Sequence, residues 1–156
     1  MVKTLLLFDD CDVNAKGLWG RTALHAACEK DHVACIHELI AGGAEIESRS
    51  SDRATPLHLA ADFNRPDSVK TLVDVYKAPV NTTNRYGRTA LHIAAHCGHT
   101  NMARVLVSYP QCDVTLKDRD GRTAADEAMH RDHHDIATLI EAKVEGKILY
   151  CIAFSS

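Results

Sequence analysis

The chain has 156 residues, 46% of them apolar, and a formal net charge of -3 at neutral pH. That length suits one domain with a buried core, and the slight acidity gives no overall pull toward nucleic acid or an anionic membrane. Six cysteines (Cys11, Cys28, Cys35, Cys97, Cys112, Cys151) make no pairwise spacing pattern. Cys28 and Cys35, in helix slots where a small apolar residue is expected, read as reduced packing residues, which favours a reducing compartment, cytoplasmic or nuclear.

In chain order, Met1 to Phe8 briefly imitate a secretory leader, but Asp9 and Asp10 cut the apolar run short. No stretch approaches the length of a membrane span. Residues 1–16 read as one helix followed by a closing turn at Val13-Asn14. Residues 17–49 read as a turn, a helix, a bend and a second helix. Gly20 supplies a positive φ in the turn, and the Thr22 hydroxyl caps the helix that follows. Leu24, Ala26, Ala27 and Cys28 give that helix a small-residue face. Asp31-His32 makes the bend, where the later segments carry Asn64, Gly98 and Asp132, residue types that tolerate a left-handed backbone. The second helix runs from about Val33 to Ala41, buries Ile36, Leu39 and Ile40, and stops at Gly42-Gly43. The same plan recurs over 50–83, 84–117 and 118–145, and an apolar tail occupies 146–156.

One tetrapeptide marks the recurrence: Thr22-Ala23-Leu24-His25, Thr55-Pro56-Leu57-His58, Thr89-Ala90-Leu91-His92 and the altered Thr123-Ala124-Ala125-Asp126. Its threonine steps by 33, 34 and 34 residues. Turn segments precede it (Trp19-Gly20-Arg21, Tyr86-Gly87-Arg88, Asp120-Gly121-Arg122), and closing pairs such as Val80-Asn81 and Val114-Thr115 follow. On these grounds the chain resembles the ankyrin-repeat family over residues 2–144. The resemblance implies an all-α solenoid of stacked helix-turn-helix units with short β-turn or hairpin tips, each unit leaning on its neighbours for stability. With half a unit at the front, the chain is expected to be a piece or an isoform of a longer array. The fourth unit, polar through Asp126, Glu127, His130, Arg131, Asp132, His133 and His134, reads as the solubilising C-terminal cap.

Histidine-rich sequences invite metal or catalytic readings. The family assigns His25, His58 and His92 to hydrogen bonds between turns, and His32, His99 and His133 share the bend slot. The trio His96, Cys97, His99 and the pair His130, His134 lack a further ligand at matching spacing. No phosphate loop or nucleophile motif occurs. The reading is therefore no enzyme, no metal and no cofactor.

The family directs partner binding to the tips and the exposed side of the first helix. Carried over, this names Leu18, Trp19, Arg21, Lys30, Phe63, Arg85, Tyr86, Arg88, His96, Arg119 and Arg122 as the partner-binding set. Trp19 is the chain's one tryptophan, and Trp, Tyr and Arg dominate interface energetics. The tip arginines suit an acidic or phosphorylated partner segment, whereas duplex nucleic acid and membrane are not expected partners. The expected state is a monomer, with self-association possible through the uncapped front or the apolar tail. Two functions fit: an adaptor module within a larger scaffold, or a stand-alone inhibitor masking a partner's active or localisation surface. Three departures from the pattern stand out. Arg53 takes the place of a turn glycine, Glu38 occupies an apolar helix slot, and one extra residue before the closing turn in units two and three is expected to form a loop.

Overall fold

The computed structural model describes residues 11–154, with side chains from 11 to 146. Eight α-helices appear there, taken as α1 (Ala23–Glu29), α2 (Val33–Ala41), α3 (Pro56–Asp62), α4 (Pro66–Lys70), α5 (Ala90–Cys97), α6 (Thr100–Ser108), α7 (Ala124–His130) and α8 (His134–Phe154). No strand occurs among the described residues. The helix read over the front of 1–16 falls outside them, apart from the closing turn at Val13-Asn14.

The pattern of side-chain sizes dictates the layering. First helices α1, α3, α5 and α7 pack in succession, with α2, α4, α6 and α8 behind them. Close approach is possible because the contacting slots hold Ala27 and Cys28, then Ala60 and Ala61, then Ala94 and Ala95, all buried. Leu24, Leu57 and Leu91 fill the space above, while Ile36, Leu72, Met102, Leu106, Ile136 and Ile140 fill the layer behind. Cys28 is fully buried and Cys35 half-buried, in keeping with packing roles. Glu38, in its apolar slot, is half-buried.

What holds one unit to the next is a histidine wired at both ends. In α3, Nδ1 of His58 accepts the Thr55 backbone N–H at 3.1 Å. The ring proton therefore sits on Nε2, which donates to the Arg88 carbonyl of the next unit at 3.0 Å. His25 does the same between Thr22 and Ala54, and His92 between Thr89 and Arg122. In the fourth unit Asp126 keeps the local half of this device, accepting from the Thr123 N–H and hydroxyl at 2.9 Å each. It has no N–H to send forward. The bend slot adds a second row of ties: Arg65 Nε donates to the Glu29 carbonyl and His99 Nε2 to the Asp62 carbonyl, each at 2.9 Å. The closing-pair asparagines add a third. Asn14 bridges to Gly43 and Glu45, and Asn81 to Gln111 and Asp113.

The backbone takes positive φ where the sequence anticipates it: Gly20 at 65°, Asp31 at 60°, Asn64 at 54°, Gly98 at 73° and Asp132 at 63°. Arg53 adopts 57° despite its Cβ, a conformation that costs a side-chain-bearing residue roughly 1 kcal/mol. The extra residue of unit two corrects the loop expectation. It is absorbed inside the second helix, where α4 widens into a π turn over Thr71–Val75. In unit one the closing bond runs from Ala44 N–H to the Leu39 carbonyl, whereas in unit two it runs from Ala78 N–H to Leu72, one residue further back. In unit three, by contrast, α6 ends at Ser108 and the chain turns through Tyr109, Pro110 and Gln111. At the C-terminal end α8 continues past Gly146 to Phe154, so the backbone of the tail begins as helix.

Burial, offset in part by the hydrogen bond to Arg88, lowers the His58 pKa from 6.5 to about 4, and burial lowers His25 and His92 in the same direction. The unfolded chain then takes up protons below pH 6.5 while the folded one resists. Stability should be flat above pH 7 and fall from pH 6.5 toward 4, with His58 alone removing about 3 kcal/mol over that span. Urea midpoints at stepped pH check this, and His58→Gln should reduce the slope. Separately, Arg53→Gly should raise stability by a few tenths to about 1 kcal/mol. Gly98→Ala should lower it, because the added Cβ would be held at φ 73° and would displace the His133 ring.

Candidate functional site

Each tip is a tight turn closed by its own backbone. Asn84 N–H donates to the Arg88 carbonyl and Gly87 N–H to the Asn84 carbonyl, and the Asn84 side-chain oxygen accepts from the Tyr86 and Arg88 N–H groups. Asp118 repeats this side-chain pattern in the fourth unit. Neighbouring tips are then laced together. Ser51 N–H donates to the Trp19 carbonyl at 2.9 Å, Arg85 N–H to Asp52 at 2.8 Å, and Arg119 N–H to Tyr86 at 3.0 Å. Gly87 permits this approach, since a Cβ there would lie 3.0 Å from the Arg119 nitrogen.

With the backbone so occupied, the large side chains project outward. Trp19 is 64% exposed and Tyr86 51%, and Leu18 and Phe63 are exposed as well. The two tip rings each carry a guanidinium: Arg21 lies 5.3 Å from the Trp19 ring centre and Arg85 5.5 Å from that of Tyr86. Those arginines are also paired at 2.9 Å, Arg21 with Glu29 and Arg85 with Asp52. Glu29 in turn meets Lys30 at 3.2 Å. Between the tips and the first helices lies a groove of about 480 Å³, with Leu59 and Ile93 among its lining and Trp19, Arg21, Tyr86, Arg88 and His96 around it. The structure thus gathers five of the predicted residues on one concavity. Leu18, Lys30, Phe63, Arg85, Arg119 and Arg122 do not line it.

Beyond the groove's far end lies a residue that the sequence reading left among the cap's polar groups. Glu127 occupies the slot held by Ala26, Leu59 and Ile93 in the other units, and its side chain is fully buried. His96 Nδ1 donates to its Oε1 at 2.6 Å and Arg122 Nη1 to its Oε2 at 3.0 Å. Arg131 Nε lies 3.5 Å away and Arg88 Nη2 3.8 Å, while Arg88 Nε also reaches Asp118 at 3.4 Å. Burial alone would raise this carboxyl, but the hydrogen bonds from His96 and Arg122 and the charge of Arg88 hold it at about 2. Arg88 and Arg122 are therefore not tips projecting freely from the stack, as the sequence suggested. They join the third unit to the fourth. The detectable signal was a carboxylate at a repeat position that is otherwise apolar.

The histidine–cysteine trio is divided between two partners, Glu127 and Asp62. His96 holds Glu127, His99 ties to Asp62, and Cys97 Sγ donates to Asp62 Oδ1 at 3.5 Å. Burial and the neighbouring Asp62 push the Cys97 thiol up to about 11, so it stays protonated and is a poor nucleophile. Among the described residues no helix is long and apolar enough to cross a membrane.

Comparison with known proteins agrees with this geometry. A family model for ankyrin repeats in three copies matches residues 1–84, and another for many copies matches 76–128. The chain is 40% identical over 74 residues to a putative ankyrin repeat protein of fowlpox virus, covering 47% of this chain and 11% of that one. It is 36% identical over 70 residues to mouse protein phosphatase 1 regulatory subunit 12A, covering 45% and 7%. It is 32% identical over 74 residues to the mouse B-cell lymphoma 3 protein homolog, covering 45% and 16%. The match thus spans a small part of each relative's length.

The buried carboxylate should be a strong point of stability. Glu127→Ala leaves several cationic groups around an empty slot and is expected to cost about 3–5 kcal/mol, the range for breaking a buried ion pair. Because its folded pKa is depressed, the contribution should be full above pH 4.5 and disappear as pH falls toward about 2. Urea unfolding of the two proteins at pH 7 and pH 3 measures both effects.

Proposed function

Because the chain belongs to the ankyrin-repeat family, we propose that it is a non-catalytic protein-interaction module whose groove takes a segment of a partner protein, most simply as part of a larger adaptor. The observation that carries this reading is Trp19. Its backbone sits at φ 56°, a region uncommon for a bulky residue, and its ring stands exposed at the groove edge with Arg21 beside it. Nothing in the stacking of the units calls for an aromatic residue there, since Asp52 and Asp120 hold two of the three equivalent slots and Tyr86 the other. An amphipathic aromatic, a guanidinium and an apolar lining in one concavity make the combination that concentrates binding energy. Relatives named as a phosphatase regulatory subunit and as a B-cell lymphoma 3 homolog support a regulatory, partner-holding role.

The sole tryptophan is also the probe. Partner capture by the 156-residue chain, followed by titration of the purified partner, should shift Trp19 fluorescence to shorter wavelength as the ring leaves water. Read by calorimetric titration, Trp19→Ala or Tyr86→Ala should weaken the complex by about 2 kcal/mol, roughly thirtyfold, while leaving the unfolding midpoint in place. Leu91→Ala should instead cost about 2–5 kcal/mol of stability through a core cavity. If both tip variants bind as tightly as the parent while folded, the partner does not use this groove.

A further inference from the structure

We propose that the Arg88, Arg122 and Arg131 cluster at the third and fourth units is an anion subsite that receives the phosphate of a phosphorylated side chain on the partner segment. The proposal rests on the groove reading above and adds to it a chemical identity at one end. Its basis is an imbalance of charge and of hydrogen-bonding capacity. Three guanidiniums converge on two carboxylates, Glu127 and Asp118. Among the described residues the Arg122 and Arg131 side chains pair with no carboxylate except Glu127. Both oxygens of Glu127 are already taken, one by Arg122 and the other shared among His96, Arg131 and Arg88. A guanidinium presents five N–H donors, so three of them bring far more donors than two carboxylates can accept.

The surplus is accessible. The side chains of Arg88, Arg122 and Arg131 are 23%, 37% and 46% exposed, while the carboxylate beneath them is fully covered. An approaching anion thus meets guanidiniums whose geometry is fixed in advance by their common anchor. That removes much of the ordering cost that loose surface arginines bring to an ion pair. Asp62, which accepts from the neighbouring Cys97, forms no ion pair with any of the three. Arg88 and His96 belong both to this cluster and to the groove, so a segment lying in the groove can reach both. A phosphate suits the cluster better than a carboxylate, because its three oxygens and near-double charge match several planar forks at once.

The test needs no knowledge of the partner. A short blocked peptide, Gly-phosphoserine-Gly, is titrated into the isotope-labelled full chain at pH 7 and followed through arginine side-chain NMR signals. Identical titrations use the unphosphorylated peptide and Gly-Glu-Gly. The expected result is saturable shifts at Arg122 and Arg131 with the phosphopeptide, at least fivefold tighter than with the glutamate peptide, while Arg85 and Arg119 stay still. Arg131→Gln should weaken the binding at least threefold. It removes the most exposed of the three arginines and leaves Glu127 its other partners. Arg122→Gln, checked for folding by circular dichroism, serves as the second variant. Equal response to glutamate, equal shifts at all exposed arginines, or indifference to both variants would overturn the subsite. Because Trp19 is not involved, such a failure leaves the groove assignment to be judged by its own variants.

Discussion

No unit of this chain can bury its own inner face, so everything depends on how one unit is fastened to the next. The fastening is a neutral imidazole used as a two-ended connector. One nitrogen satisfies the helix start of its own unit and the other satisfies a carbonyl of the following one. Both ends lie in a water-poor layer, where an unpaired donor or acceptor would be expensive and a paired one sets distance and angle. The small residues at the helix contacts are a consequence of that setting. Units held this closely leave room for alanine and little more.

The same logic explains where the run of connectors stops. The fourth unit exchanges histidine for Asp126, which keeps the intra-unit hydrogen bonds and relinquishes the outgoing one. In compensation, the join to that unit is strengthened on the other side by Glu127, a charged group where its counterparts are apolar. A buried carboxylate with several cationic partners is costly to assemble and very costly to break. This cluster adds to what holds the fourth unit on the third.

Much of this was legible in the sequence because the repeat reports it several times over. The turn glycine, the helix cap, the bend and the motif histidines recur at fixed offsets, and Arg53 stood out against that background. Glu127 did not. Its partners Arg88 and His96 lie 39 and 31 residues upstream, and arginines at the tips looked like ordinary solvent-facing charges. Only the fold shows that two of them, with Arg131 from the end of α7, share one anchor. The π turn was hidden for a related reason. A surplus residue in an alignment does not reveal whether the backbone bulges outward or winds more widely, and that choice is made by how Leu72 and Val73 pack.

The widened turn in the second unit also separates two quantities that sequence counting treats as one. Repeat length differs between the first and second units, yet the links from tip to tip are of the same kind, at 2.9 and 2.8 Å. The surplus residue is taken up at the back of the array and never reaches the row of tips. Ruler marks along the front thus stay evenly placed while the material behind them varies. A lineage carrying such an array can gain or lose a residue in the rear helix without resetting the spacing of its tips, whereas the same change in a tip would displace every mark beyond it.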